Sequence, residues 1–205
     1  MKELIRRMPW GRQQVAQLEP LLTREWLVTN GLGGYASGTV AGVVTRRYHG
    51  LLVASLGGSL GRVLMLAHLS EQIRLPDGKN VRFSGEERTG RLTVHGADYL
   101  AEFRQETGLP VWRYEVQGIV LEKSLLLPHE QNTVHITYRL IDGPAAVRLK
   151  LLPSFSFRSH DALVSTPLPE RIHFTASQDH YELTACPELP PLRMTLHGQR
   201  VAFTY

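Results

Sequence analysis

The sequence predicts an all-β fold, a large sandwich of two packed antiparallel sheets, and three observations support this prediction. Apolar and polar residues alternate along several segments, turn-forming residues separate these segments, and no convincing amphipathic helix interrupts them after residue 25. The chain has 205 residues, of which 42% are hydrophobic. It is therefore long enough and apolar enough to bury the core of one such domain.

Alternating segments predict the strands. A period of two places successive side chains on opposite faces of a sheet, so one face packs on a core and the other contacts water. Apolar residues occupy the even positions of residues 133–140 and the odd positions of residues 147–151. The same alternation occurs in residues 112–116, 172–174 and 192–196. We expect each of these segments to be a half-buried antiparallel strand.

Turn chemistry predicts the connections between the strands. In residues 75–79, Pro76 presets φ, Asp77 can bond to the local backbone and Gly78 tolerates positive φ. Residues 57–61 resemble a hairpin loop, and residues 141–144 predict a break between two strands. Residues 159–170, which contain two prolines, predict an exposed loop.

The expected domain organisation is a lead-in segment at residues 1–22, with a short helix within residues 12–22, followed by the sandwich at residues 23–205. The sequence stops at the alternating run 201–205, with no turn or charged tail after it. We therefore expect the domain to be part of a longer protein and to precede a further domain.

Composition excludes several classes of protein. The single cysteine, Cys186, cannot form an internal disulfide; it predicts a buried structural thiol and a cytoplasmic protein. The net charge is +4 and the basic residues are scattered along the sequence, which argues against nucleic-acid binding. No apolar run is long enough to span a bilayer, and the N-terminus lacks the uncharged core of a secretory signal, so we expect no membrane association.

The glycine-rich segment at residues 25–54 carries the most specific information. Residues 31–36 match the dinucleotide-binding pattern G-x-G-x-x-A, but that pattern needs a following helix and an acidic residue about 20 positions later. Here the next residues are glycine and β-branched, and no Asp or Glu occurs from Trp26 to Ser70. A Rossmann site is therefore excluded, and the glycines instead predict tight turns between short strands.

The acid-free run leaves two interpretations open. Its arginines, histidines and tyrosines can donate hydrogen bonds and stack on flat surfaces, but they cannot supply a catalytic pair of carboxylates. The alternative is structural: glycines for turns, aromatic residues for the core and arginines for a solvated rim.

Residues 25–54 closely resemble the opening signature of bacterial and archaeal-type glycogen debranching enzymes, in their N-terminal domain. The resemblance continues more loosely through residues 109–114, 121–123 and 132–134 with Tyr138, and through the Arg- and His-containing loop at residues 157–161. It covers most of residues 24–161. Beyond Asp161 only the general β-rich character remains.

This resemblance implies an N-terminal β-sandwich of the galactose mutarotase-like type, followed in the same polypeptide by an (α/α)6 toroid. The toroid performs the amylo-α-1,6-glucosidase step on a glycogen-like α-glucan, in some enzymes together with 4-α-glucanotransferase activity. Glycosidic cleavage needs two carboxyl groups, and in this family they lie in the toroid. The resemblance therefore implies that these 205 residues are inactive alone.

We expect a surface for substrate binding or domain contact, with no catalytic residue, no metal and no cofactor. Its candidate residues are Asn30, Tyr35, Arg46, Arg47, Tyr48, His49, Arg158, His160 and Asp161. Glu86 and Glu87 lie in a polar stretch that predicts a solvated loop, and no histidines have the spacing of a zinc site.

Three functions follow from these patterns. The first is an accessory domain of a debranching enzyme, which packs on the catalytic toroid and shapes the glucan cleft. The second is a free-standing carbohydrate-binding module with an exposed aromatic platform. The third is a purely structural or assembly domain.

Overall fold

A computed structural model describes residues 5–9, 19–88, 91–144, 146–178, 180–198 and 202. The chain divides into two compact units, Met1–Leu163 and Val164–Tyr205. In both units the regular structure consists almost wholly of antiparallel strands, so the all-β prediction is confirmed. Among the described residues, none of the helices is long and apolar enough to cross a membrane.

In chain order the elements are β1 (Ile5–Pro9), α1 (Glu19–Thr23), β2 (Glu25–Thr29), β3 (Tyr35–Thr39), β4 (Gly50–Gly57), β5 (Gly61–Arg74), β6 (Asn80–Arg82), β7 (Gly85–Arg88), β8 (Arg91–Val94), β9 (Leu100–Glu106), β10 (Leu109–Val116), β11 (Ile119–Leu126), β12 (His135–Asp142), β13 (Arg148–Ser159), β14 (His173–Ser177), β15 (His180–Thr184) and β16 (Leu192–Thr195).

The larger unit contains two main sheets. One has the strand order β1-β9-β10-β11-β12, and the other has the order β13-β5-β4-β3-β2 with β6 paired to β5. Strands β7 and β8 form a separate hairpin, and in the smaller unit β14, β15 and β16 form a three-stranded sheet. Consecutive strands pair in most places, as expected for short hairpin connections.

Aromatic side chains fill the space between the two main sheets. Trp26 of β2 meets Trp112 of β10 edge to face, with ring centroids 5.3 Å apart, and Phe83 stacks on Tyr114 at 4.6 Å. The indole of Trp112 donates a hydrogen bond to the Val40 carbonyl at 3.0 Å, so its polar atom is satisfied inside the core. Each such ring pair contributes about 0.5–1.5 kcal/mol beyond the burial of its area. The two-sheet sandwich is confirmed.

A buried ion pair joins the two sheets. Glu71 of β5 contacts the ammonium of Lys123 on β11, and it accepts a second hydrogen bond from the Tyr138 hydroxyl at 2.6 Å. Glu71 is 2% exposed and Lys123 is 8% exposed. The Lys123 ammonium also lies 5.2 Å from the centre of the Trp112 ring, a cation–π contact. These polar contacts fix one lateral alignment of the sheets.

Burial follows the predicted alternation along β12, where even positions are half-buried and odd positions are exposed. The same prediction is wrong for β14, because this strand is exposed along its whole length. Glu86 and Glu87 lie on strand β7 rather than in a loop, and Cys186 is half-buried rather than buried.

The predicted connections occur where turn chemistry placed them. The 75–79 segment turns between β5 and β6 with Gly78 at φ +84°, and residues 57–61 close the hairpin of β4 and β5. Residues 160–172 contain neither helix nor strand. The helix α1 overlaps the end of the predicted 12–22 helix, whose residues 12–18 lie outside the described residues.

Candidate functional site

The glycine-rich loop at residues 30–34 joins β2 to β3 in a tight turn. Gly31 and Gly33 adopt φ angles of +81° and +92°, which side chains with a Cβ rarely adopt. A Cβ at Gly31 would also lie 2.6 Å from the imidazole of His129, too close for any real contact. The prediction of tight turns here is confirmed; the positive φ favours glycine, and a side chain at Gly31 would also have to displace the exposed His129 ring.

Asn30 holds this loop from the inside. Its side-chain oxygen accepts a hydrogen bond from the Leu32 amide at 3.0 Å, and its amide nitrogen donates to the Gln131 carbonyl at 2.8 Å and to the Asn132 side chain at 3.2 Å. The residue is 1% exposed. Its polar atoms are therefore committed to the protein, and it lies beneath the surface.

The connection from β3 to β4 exposes residues 45–48, and side chains of the sheet hold two of its main-chain carbonyls. The Tyr35 hydroxyl donates to the Tyr48 carbonyl at 3.0 Å, and the Arg158 guanidinium donates to the Arg47 carbonyl at 2.5 Å. Two consecutive main-chain carbonyls thus accept hydrogen bonds from side chains of β3 and β13. The side chains of Arg47 and Tyr48 remain exposed, and the Arg47 guanidinium has no hydrogen bond or ion pair within the described part of the chain.

A bulge in β13 aims Arg158 at this connection. The pairing with β5 shifts register between Phe155 and Arg158, and Phe157 adopts a φ of +56°. Arg158 is consequently buried, and its Nη1 donates to the carbonyls of Ser159 at 3.0 Å and Ala162 at 2.9 Å. Burial lowers the pKa of the Arg158 guanidinium, and the nearby charge of Arg47 lowers it further. Arg158 therefore clamps two loops together.

Arg62 and His160 complete the surface around Tyr35. The His160 amide donates to the Arg62 carbonyl at 3.1 Å, and the Arg62 Nε donates to the Gly33 carbonyl at 2.7 Å. The rings of Tyr35 and His160 meet edge to face at 6.2 Å. Arg62 was not among the candidate residues, although it lies in the acid-free run that drew attention to this segment.

Asp161 supplies the carboxylate of this surface. The Ser159 hydroxyl donates to Asp161 at 2.5 Å, and this hydrogen bond lowers the pKa of the Asp161 carboxyl. The Nδ1 atom of His160 lies 4.0 Å from the same carboxylate, too far for a hydrogen bond, and has no partner within the described residues.

Arg46 and His49 belong to a neighbouring cluster centred on Glu25, a residue that was not a candidate. Arg46 pairs with Glu25, and the His49 Nε2 lies 3.6 Å from the same carboxylate. His49 is fully buried, and its Nδ1 accepts a hydrogen bond from the Thr45 amide at 3.3 Å. Burial lowers the pKa of His49, with Glu25 opposing the shift, so the ring is neutral near pH 7.

The structure thus separates the nine candidates into three groups. Tyr35, Arg47, Tyr48, Arg158, His160 and Asp161 share one surface, which we call the Arg47–Tyr48 surface and which also includes Arg62. Arg46 pairs with Glu25, His49 lies beside the same carboxylate, and Asn30 lies inside the glycine loop. Within the described residues, no three His, Cys, Asp or Glu side chains are grouped as a metal site requires.

Comparison with known proteins gives one result. The family model described as glycogen debranching enzyme N terminal matches residues 24–205. The match extends the resemblance seen in the sequence through the smaller unit to the last residue. No curated protein and no solved structure matches the chain.

Proposed function

Because the chain belongs to the family of glycogen debranching enzyme N-terminal domains, we propose that it is a non-catalytic accessory domain of such an enzyme. In this proposal it packs on an (α/α)6 catalytic domain of the same polypeptide and lines part of the cleft that receives a glycogen-like α-glucan. The parent enzyme is a cytoplasmic amylo-α-1,6-glucosidase, with 4-α-glucanotransferase activity as a second possible reaction.

The observation that carries the proposal is the way the Arg47–Tyr48 surface is built. Both residues are held by their main-chain carbonyls while their side chains face solvent. The main chain of both residues is therefore ordered before a ligand binds, which removes the backbone part of the ordering cost of binding. The exposed Tyr48 ring can pack on the C–H face of a pyranose, and the Arg47 guanidinium can donate to its hydroxyls. Asp161 at the rim can accept a hydrogen bond from a hydroxyl.

The buried acids of this chain support a non-catalytic role. Hydrolysis of a glycosidic bond requires two carboxyl groups that face the substrate from either side. Glu71 is enclosed between the sheets and paired with Lys123, and Glu122 is paired with Arg104 at 2.9 Å and Arg139 at 3.1 Å. These two carboxylates are committed to ion pairs, which agrees with our proposal that the catalytic pair lies in another domain of the polypeptide.

The test uses the debranching enzyme that contains this chain. We expect Arg47→Ala and Tyr48→Ala to raise KM for a branched glucan while leaving the unfolding midpoint unchanged. The matched control is Arg82→Ala, since Arg82 is also an exposed arginine but lies near the opposite end of strand β5. A fall in the midpoint with unchanged KM and kcat would instead establish a purely structural role.

Calorimetric titration of the 205-residue chain with maltoheptaose distinguishes the second candidate function. An accessory domain that supplies only part of a cleft gives weak binding or none. The exposed tyrosine is the feature that favours a free-standing carbohydrate-binding module, and saturable binding that is lost in Tyr48→Ala would establish that function instead.

A further inference from the structure

A second group of cations lies on the outer face of strands β6, β5 and β13, at the end of β5 farthest from the Arg47–Tyr48 surface. In antiparallel pairing, residues directly opposite each other share a face. Arg74 is opposite Arg148 on one side and Asn80 on the other, and two residues along, Gln72 is opposite Lys150 and Arg82. The register thus collects on one face cations that are scattered in the sequence.

The pairing of Arg74 with Arg148 is unfavourable by itself. Like charges directly opposite on adjacent strands repel each other. Within the described residues neither arginine has an ion pair or a hydrogen bond from its side chain, and both are exposed. Other arginines of the larger unit do have carboxylate partners, such as Arg113 with Glu115 at 2.9 Å. The carboxylate of the adjacent turn, Asp77, is engaged by Lys79 and Gln117.

Both arginines line a cavity of about 350 Å³ at this end of the sandwich. The rest of its wall is apolar and includes Leu75, Pro76, Ile119 and Val147. The cavity is an open cleft, whose lining comes from both main sheets and from Pro144, Ala146 and Val147, which lie between β12 and β13 in the chain. Its size falls within the range of small-molecule sites, which combine apolar walls with a few polar groups.

We propose that this cavity binds a small organic anion, with Arg74 and Arg148 holding a phosphate or carboxylate group and the apolar wall covering an attached hydrocarbon or ring. Guanidinium groups match such oxyanions in geometry and bind them through paired hydrogen bonds. An anion placed between the two arginines also removes their mutual repulsion. Lys150, on the same face, adds to the positive potential that attracts it, whereas Arg82 is paired with Glu86 at 3.7 Å.

The site is separate from the Arg47–Tyr48 surface and does not depend on the proposed function. Its ligand need not be a glucan, because the lining residues are two arginines and six apolar residues, none of which has a side-chain acceptor for a neutral hydroxyl.

The experiment titrates the 205-residue chain with three probes at constant ionic strength and follows binding by calorimetry and by the unfolding midpoint. Phenyl phosphate carries both features of the ligand, inorganic phosphate carries only the anion, and benzyl alcohol carries only the ring. We expect saturable binding of phenyl phosphate, weaker binding of inorganic phosphate and none of benzyl alcohol. A fourth probe, the carboxylate anion of phenylacetic acid, tests whether a carboxylate can replace the phosphate.

Variants assign the binding to the cavity. Loss of one charged hydrogen-bond donor is expected to weaken phenyl phosphate binding about tenfold in Arg74→Gln and in Arg148→Gln. The matched control is Arg47→Gln, which removes the charge of another exposed, unpaired arginine and should bind phenyl phosphate as the parent chain does. Each cavity variant should also unfold at slightly higher urea than the parent chain without ligand, because the repulsion is gone.

Two results would overturn the proposal. One is the absence of saturable phenyl phosphate binding to the parent chain. The other is equal binding by Arg74→Gln, Arg148→Gln and Arg47→Gln, which would indicate general attraction to a positively charged protein. The result bears on the anion site alone, since the proposed glucan contact depends on Arg47 and the anion site does not.

Discussion

Replacing Arg158 with methionine tests whether this residue is the clamp that supports the Arg47–Tyr48 surface. Methionine has a similar length but no donor, so the variant loses the bonds to the carbonyls of Arg47 at 2.5 Å, Ser159 at 3.0 Å and Ala162 at 2.9 Å. At about 1 kcal/mol for each bond the loss is about 3 kcal/mol. The variant also avoids the unfavourable desolvation of a buried guanidinium, which offsets part of this loss. We therefore expect a net loss of about 2 kcal/mol in the free energy of unfolding.

Urea unfolding measures that loss, and limited digestion with trypsin locates it. Trypsin cleaves after arginine, and the segment that ends at Tyr48 contains Arg46 and Arg47. If the clamp holds this segment, cleavage after Arg47 should be faster in Arg158→Met, while cleavage after Arg113, in the middle of β10, should not change. Arg158→Lys keeps the charge without the fork and should fall between the parent and the methionine variant. The reasoning fails if Arg158→Met unfolds at the parent urea concentration and is cut after Arg47 at the parent rate.

Three further predictions concern the core, the pH response and the backbone. Glu71→Gln should lower the free energy of unfolding by about 3–5 kcal/mol, because it leaves the Lys123 ammonium buried without a charge partner. The double variant Glu71→Leu with Lys123→Met should come within about 1 kcal/mol of the parent in urea unfolding. Equal losses in the two variants would contradict the pairing. Burial holds the pKa of His49 below its ordinary value, so the unfolded chain binds more protons and the free energy of unfolding falls as pH drops from about 7 to 5. His49→Asn should reduce this dependence of stability on pH, measured as urea midpoints across that range. An unchanged dependence would refute the assignment. Gly96→Ala should lower the unfolding midpoint much more than Gly57→Ala. A Cβ at Gly96 would lie 1.8 Å from a backbone oxygen, whereas Gly57 has a φ of +70° and lies in open space. Calorimetric midpoints in the opposite order would rule this out.

Local patterns were enough to predict the class of fold. The even positions of β12 are half-buried and the odd ones are exposed because a two-residue period is a property of the extended backbone itself. The same period failed at β14, where alternation occurs but both faces are exposed. Alternation shows which side chains share a face, and it cannot show whether anything covers that face.

Six of the seven residues of the Arg47–Tyr48 surface were candidates and Arg62 was missed, while the arrangement of all seven could not be predicted. Arg158 reaches the carbonyl of Arg47 only because β13 pairs with β5 and contains a bulge, a feature with no local sequence signal. Contacts between residues far apart in the sequence also place two of the candidates outside the Arg47–Tyr48 surface. Arg46 and His49 lie against Glu25, which comes just before the acid-free run and was not a candidate residue.

The opposed arginines show the same limit from the other direction. Arg74 and Arg148 are far apart in the chain, and the sequence therefore gave only scattered basic residues with no concentrated positive face. The register of β5 and β13 places them side by side. Net charge and its distribution along the chain describe solubility well, but a local concentration of charge depends on which strands become neighbours.

Tyr35 and Arg158 hold residues 47 and 48 through main-chain oxygens, which every amino acid possesses. The support is consequently indifferent to the side chains it displays. Under the proposed function, substitutions at these two positions would change the ligand preference of the surface without disturbing the scaffold beneath it.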